Sequence, residues 1–278
     1  MEIISTIADL RARLAHEPEV AFVPTMGNLH EGHIALVELA KQHAALVVVS
    51  IFVNPLQFGP HEDFANYPRT FDADCAKLQE AGAQIVFAPT HEDLYPVPQQ
   101  VTVEPPPIAN ELCGAHRPGH FCGVATVVLK LFNIVQPKVA VFGQKDYQQL
   151  HVIRQMVQQL NVPVQIVAGE TVRAADGLAL SSRNGYLTPE QRAEAPRLYR
   201  TLQQIAQAIH SGANDFPALE AEAAADLLAH GWGVDYVSVR GQDTLAPVVP
   251  ENGPWVVMAA AHLGNTRLID NIEILLSK

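Results

Sequence analysis

The feature that most constrains this chain is an alternation. Apolar runs at Val20–Val23, Leu46–Val53, Gln84–Phe87, Val139–Phe142 and Val164–Val167 are separated by amphipathic stretches, among them His30–His43, Phe71–Ala81, Gly123–Val135 and Tyr147–Leu160. Nearly unbroken apolar strands are buried on both faces, and a helix between successive strands returns the chain to pair in parallel. The pattern predicts an α/β fold with a doubly wound parallel sheet. In such sheets ligands bind beyond the carboxyl ends of the strands, where the strand order reverses.

The pattern changes after about Gly185. Thr188-Pro-Glu-Gln191 reads as a helix start, with Thr as N-cap, Pro at the first helical position and Gln closing a capping box. One long helix is predicted from there to about His210 and a second over Phe216–His230. Strands follow at Val234–Val239, Trp255–Ala261 and Thr266–Ile272. The expectation is two domains: 1–184 binding the ligands and 185–278 a smaller α+β unit. Val101-Thr-Val-Glu-Pro-Pro-Pro107 reads as an extended loop, because proline removes ladder donors.

Charge and length exclude several classes. With a net charge of −11, the chain lacks the basic surface that a nucleic-acid backbone requires. No apolar run is long enough for a membrane span, and the first residues do not form a secretory signal. Three cysteines, Cys75, Cys113 and Cys122, without a C-x-x-C pair suggest free thiols in a reducing compartment. These features predict a cytoplasmic protein that binds neither nucleic acid nor membrane.

Five segments following predicted strands carry candidate chemistry. In Phe22-Val-Pro-Thr-Met-Gly-Asn-Leu-His-Glu-Gly-His33, a strand runs through a turn into a helix bearing His30 and His33. Free N–H groups at the helix start and two imidazoles one turn apart suit a phosphate. Gly27 and Gly32 are expected to let the ligand approach closely. Zinc-binding helices space their histidines four apart, whereas the spacing here is three and no further ligand cluster is evident. Asn54 and Gln57 in Phe52-Val-Asn-Pro-Leu-Gln-Phe58 are neutral amides suited to hydroxyl and carboxylate groups. Gly143, Lys145, Asp146 and Gln149 follow the fourth strand, in a segment that also fits a plain capped helix. Leu180-Ser181-Ser182-Arg183 offers two hydroxyls and a guanidinium to a triphosphate, or is a simple turn. In His116-Arg-Pro-Gly-His-Phe121, Arg117 faces an anion or orders a loop. His16, His43, His61 and His91 read as surface residues. No Walker-type loop is present.

Taken in order, these motifs closely resemble the pantothenate synthetase (pantoate–β-alanine ligase) family, within the His-x-Gly-His nucleotidyltransferases, over essentially the whole chain. The paired histidines point to the superfamily, and the Asn-Pro-x-Gln-Phe and Gly-x-Lys-Asp-Tyr-Gln-Gln segments point to this member. The resemblance implies a Rossmann-like core and ATP-dependent condensation of pantoate with β-alanine. A pantoyl adenylate would be the intermediate, with AMP and pyrophosphate released. It implies that His30, His33, Lys145 and Arg183 are catalytic, with His33 a proton donor. ATP would be held by Met26, Gly27, His30, His33, Gly143, Lys145, Asp146, Val172 and Leu180 to Arg183. Pantoate would be held by Asn54, Gln57 and Gln149, with Gln57 also near β-alanine. It further implies Mg2+, with Asp74 its carboxylate source, a homodimer, and a C-terminal domain that closes as a lid. The rivals are a nucleotidyltransferase that stops at the first step, a non-catalytic nucleotide sensor and a zinc hydrolase.

Overall fold

The computed structural model describes residues 1–60, 62–248 and 253–275. Its elements in chain order begin β1 (Glu2–Ile4), α1 (Ile7–Leu14), β2 (Val20–Thr25), α2 (Glu31–Lys41), β3 (Leu46–Ile51), α3 (Phe71–Glu80), β4 (Ile85–Phe87) and α4 (His91–Leu94). They continue α5 (Cys113–His116), α6 (His120–Val135), β5 (Val139–Gly143), α7 (Tyr147–Gln159), β6 (Gln165–Gly169), α8 (Pro189–Glu194), α9 (Arg197–His210) and α10 (Phe216–Ala229). The last are β7 (Trp232–Gly241), β8 (Trp255–Leu263) and β9 (Thr266–Ile274).

The predicted doubly wound sheet is present, with six parallel strands in the order β1-β4-β3-β2-β5-β6. Its central strands are almost wholly buried because helices cover both faces. One core joins Phe22, Val48 and Phe142 to side chains of α1, α6 and α7, and the other joins Val23, Val47 and Val141 to α2 and α3. From β2 the chain winds outward to β3 and β4 on one side, and from β5 to β6 on the other. The order therefore reverses between β2 and β5. These two strands pair only at Ala21↔Val139 and Phe22↔Ala140, whereas β2 and β3 stay paired from Val20 to Thr25. Beyond Phe22 the sheet splits, and the crevice opens there.

The second unit is an antiparallel sheet, β7-β8-β9, packed against α9 and α10 around Leu202, Leu227, Trp232 and Val257. Its core reaches back to Leu178. The capping box at Thr188 and Gln191 is present, but the single long helix is not. It divides at Pro196 into α8 and α9, because a proline in mid-helix lacks the N–H and its ring clashes with the preceding turn. The edge strand β1 has three residues, too few to show periodicity, and escapes the sequence pattern. His16, His43 and His91 are exposed, while His61 lies outside the described residues. No helix among the described residues is long and apolar enough to cross a membrane.

Candidate active site

A cavity of about 210 Å³ occupies the split between β2 and β5, and an adjoining cleft of about 520 Å³ runs from it toward the C-terminal sheet. Lys145, Asp146, Ser181 and Arg183 line both. Four strand ends furnish the inner cavity. Met26, His30 and His33 follow β2, Asn54 and Gln57 follow β3, and Gly143, Lys145, Asp146 and Gln149 follow β5. Val172, Leu180, Ser181, Ser182 and Arg183 follow β6. Residues scattered over most of the chain are thus brought together. Gly27 and Asp74 do not line this cavity; they border a neighbouring one.

The start of α2 departs from the expected arrangement. His30 is the N-cap rather than part of the helix, and its Nδ1 accepts the N–H of Gly32 at 3.1 Å. His33 reaches back to accept the N–H of His30 on its own Nδ1 at 3.3 Å. The imidazoles form a reciprocal capping box, with ring centroids 4.1 Å apart. The N–H groups of His33 and Ile34 are bonded to the His30 carbonyl, and those of Asn28 and Leu29 go to Asp74 at 2.8 and 2.7 Å. The backbone donors expected to meet a phosphate are therefore largely occupied. What remains is one Nε2–H on each ring, because a neutral imidazole that accepts at Nδ1 carries its proton at Nε2.

Burial, followed by the Lys145 charge, lowers His30 to about 4. Burial, followed by the neighbouring His30, lowers His33 to about 3. Both rings are neutral near pH 7. His33, expected to be a proton donor, carries its proton at Nε2 and can donate a hydrogen bond from there. Gly32 has a different role from the one expected: a Cβ there would lie 2.8 Å from Cε1 of His30, so its absence admits the imidazole rather than the ligand.

Asp74 is also redirected. It is 1% exposed, and besides the Asn28 and Leu29 N–H groups it accepts the Thr70 hydroxyl at 3.1 Å. Its carboxylate holds a turn in which Gly27 and Asn28 both have positive φ, 81° and 51°. Lys77 of α3 donates to the Leu29 carbonyl of the same turn. With its oxygens directed inward, Asp74 acts as a structural clamp on this turn. No cluster of three or more potential metal-binding side chains occurs among the described residues.

On the facing wall, Asn54 has no group to offer a ligand. It is 1% exposed; its Oδ1 accepts from Tyr95 Oη at 2.8 Å and from Leu56 N at 3.4 Å. Its Nδ2 donates to Gln57 Oε1 at 3.0 Å and to the Gly123 carbonyl at 3.2 Å. Gln57 is thereby held with Nε2 toward the cavity, where it touches Met26 Sδ at 3.3 Å. Arg117 orders a loop rather than facing an anion. It pairs with Glu62, with Nε–Oε1 at 2.7 Å, and its Nη1 donates to His120 Nε2 at 3.0 Å. His120 Nδ1 in turn donates to the Gln57 carbonyl at 2.8 Å. Burial, followed by Arg117, lowers His120 to about 4, which agrees with an imidazole that accepts from a guanidinium.

Arg183 makes a two-pronged pair with Asp63 at 2.9 and 3.1 Å at the cleft. Ser182 gives its hydroxyl hydrogen to the Asn28 carbonyl at 3.1 Å, tying this loop to the β2 turn. Ser181 accepts the Arg183 N–H at 3.3 Å and keeps its own hydrogen. Asp146 is raised by burial but pulled below the usual carboxylate value by Lys145 and Arg183; Lys145 Nζ lies 3.5 Å from its Oδ2.

Sequence reasoning missed three contributors. Val124, Val127, Val128 and Leu131 of α6 form an apolar wall; their periodicity reads only as core. Tyr95 stands behind Asn54, with no local signal. Asn271 of β9 donates to the carbonyls of Gln144 and Lys145 at 3.0 and 2.9 Å, so the second sheet grips the turn that carries Lys145.

The whole chain is similar to known proteins. The family model described as pantoate-beta-alanine ligase matches residues 2–273. A pantothenate synthetase of Nitrosospira multiformis is 61% identical over 99% of this chain and 98% of its own length. One of Methylobacillus flagellatus is 62% identical over 98% of each. The crystal structure of the Thermus thermophilus pantothenate synthetase superimposes with a TM-score of 0.94 at 47% identity, covering 99% of both chains. A pantoate-beta-alanine ligase from Francisella tularensis, complexed with beta-gamma ATP and beta-alanine, gives a TM-score of 0.84 at 34% identity over 98% of this chain and 97% of that one.

Proposed function

The chain belongs to the pantoate–β-alanine ligase family, and from that membership we propose how its own residues condense pantoate with β-alanine using ATP. The observation that carries the reading is the pair of neutral, mutually capped imidazoles at the β2/β5 split, facing a wall of oriented amides across one cavity.

In the first half-reaction the pantoate carboxylate attacks the α-phosphorus of ATP, an O–P bond forms, and pyrophosphate departs. A carboxylate is already a nucleophile, so no serine or cysteine is needed. Catalysis is alignment together with stabilisation of the charge that develops on the phosphates. The Nε2–H groups of His30 and His33 donate to phosphate oxygens, and Lys145 and Arg183 supply positive charge. For Arg183 this requires exchanging Asp63 for the phosphate tail. Met26, Val172 and Leu180 shape the nucleotide site, with Gly27 setting the turn behind Met26; Gly143 and Asp146 take the ribose side, and Ser181 and Ser182 edge the phosphates. Gln57 and Gln149 hold pantoate, whose branched aliphatic carbons suit the apolar wall of α6. In the second half-reaction the β-alanine amine, brought in beside Gln57, attacks the acyl carbon; an amide bond forms and AMP leaves.

Magnesium would arrive on the triphosphate and neutralise charge there, since it keeps most of its waters and needs few protein ligands. Asp146 and Glu170 are the carboxylates of the inner cavity that could face it. The hold of Asn271 on the Lys145 turn supports residues 185–278 acting as a lid over the ligand-binding residues 1–184. A homodimer is part of the same proposal, and the free thiols support a cytoplasmic enzyme.

The test is release of AMP and pyrophosphate from ATP with pantoate and magnesium, with and without β-alanine. AMP and pantothenate formed in equal amounts only with the amine are expected. Pyrophosphate without amine-dependent AMP would leave a nucleotidyltransferase with another acceptor, and no turnover would leave a sensor.

A further inference from the structure

Gln57 has an end that faces in and an end that faces out, and the structure defines which is which. Its neighbour Asn54 is fixed by two backbone groups that each have only one possible role. Leu56 N can only donate, so it marks Oδ1, and the Gly123 carbonyl can only accept, so it marks Nδ2. The shortest of the Asn54 bonds is to Tyr95, at 2.8 Å, and since it falls on Oδ1 the phenol must be the donor. Tyr95 is itself 6% exposed, packed beside Phe52 and His91, with Lys130 Nζ 4.6 Å from its ring centre. The Asn54 amide then donates to Gln57 Oε1, and this leaves Gln57 with only its NH2 to present to the cavity.

We propose that Tyr95 and Asn54 are positioning residues whose chain of aligned dipoles, Tyr95 to Asn54 to Gln57, makes Gln57 a one-way donor and so selects an acid over a ligand that presents N–H groups. The inference rests on pantoate as the ligand of Gln57. Each link points its positive end toward the cavity, and in a buried site such bonds polarise one another. An unconstrained glutamine offers its carbonyl as readily as its amide nitrogen. Against a carboxylate the flipped amide is repulsive, so fixing the direction sharpens affinity without a further contact to the ligand.

Two substitutions separate this from a packing role. Tyr95→Phe keeps the ring and removes the donor. Asn54→Asp removes Nδ2–H and supplies a second acceptor, which draws the Gln57 NH2 inward and turns Oε1 toward the ligand. Initial rates of pyrophosphate release would be measured with pantoate and ATP varied in turn. The expected result is a KM for pantoate raised about 5-fold in Tyr95→Phe and about 50-fold or more in Asn54→Asp, following the cost of one lost hydrogen bond and of one reversed against a charge. The KM for ATP should stay within about 2-fold, and adding Tyr95→Phe to Asn54→Asp should change little further, because the direction is already reversed. Tyr95→Phe carries the test alone if Asn54→Asp does not accumulate. An unchanged KM for pantoate in Tyr95→Phe, or equal losses for pantoate and ATP, would overturn the proposal. A native enzyme that turns over ATP without pantoate would instead overturn the reading beneath it.

Discussion

The two walls of the cavity are organised in opposite ways. On the phosphate side, His30 and His33 are oriented by the backbone of their own helix, within a span of three residues, by hydrogen bonds that any strand–turn–helix of this sequence would make. On the acid side, Gln57 is oriented by side chains and carbonyls brought from α6 and from Tyr95 at the end of α4, 41 residues from Asn54. The first wall is a local device and the second is a product of the tertiary fold. Their energetics should differ accordingly. Damage to the phosphate wall should remove chemistry while leaving the fold nearly intact, whereas damage to the acid wall should alter which ligand is held.

The sharpest break of that contrast is His33→Ala. Loss of one donor to the departing pyrophosphate is expected to lower the turnover of adenylate formation by about 10²–10³-fold. Loss of one cap should lower stability by only about 1 kcal/mol. Pyrophosphate release and a denaturant titration measure the two, and near-normal turnover would remove His33 from the mechanism. Gln57→Ala comes next: a KM for pantoate raised by roughly 10-fold or more with ATP affinity largely spared, read by isothermal titration with each ligand. Equal weakening of both would mean that the walls are not independent.

A separate break of the comparison is in acid. His30, His33 and His120 are neutral in the folded protein down to about 4, 3 and 4, below the ordinary histidine value of 6.5. As pH falls below 6.5 the unfolded chain takes up protons that the folded one refuses. Stability should therefore decline from that point toward pH 4, by up to about 1.4 kcal/mol per pH unit for each group. Above pH 6.5 these groups should contribute no slope. Urea midpoints at pH 7, 6 and 5 would show it, and His33→Gln should flatten the decline.

The same contrast explains what could be read from the amino-acid order. The parallel sheet is legible because Val20–Val23 and Leu46–Ile51 are apolar without interruption, and the site lies where such a sheet must place it. The candidates Lys145, Gln149 and Arg183 follow strands, and strand ends converge. What the order concealed is direction. Nothing local says that Asn54 faces inward to Tyr95, that Asp74 faces the β2 turn, or that Ser182 bonds to Asn28. Each of these contacts joins residues between 41 and 154 positions apart. Pro196 is a different kind of omission, since the helix break it causes is local and visible in the sequence.

Asp74 has a consequence beyond the turn it holds. A turn with successive N–H groups converging at the start of a helix is the shape in which many proteins cradle a phosphate directly. Here that cradle already contains an anion of its own, supplied by α3 and covalently part of the chain. A nucleotide arriving at this turn finds the seat taken and must be met by whatever projects beyond it. The proposed use of imidazoles for phosphate recognition is consistent with a resident carboxylate at this turn. The turn is held by groups of the chain itself, with no bond in it that waits for a nucleotide.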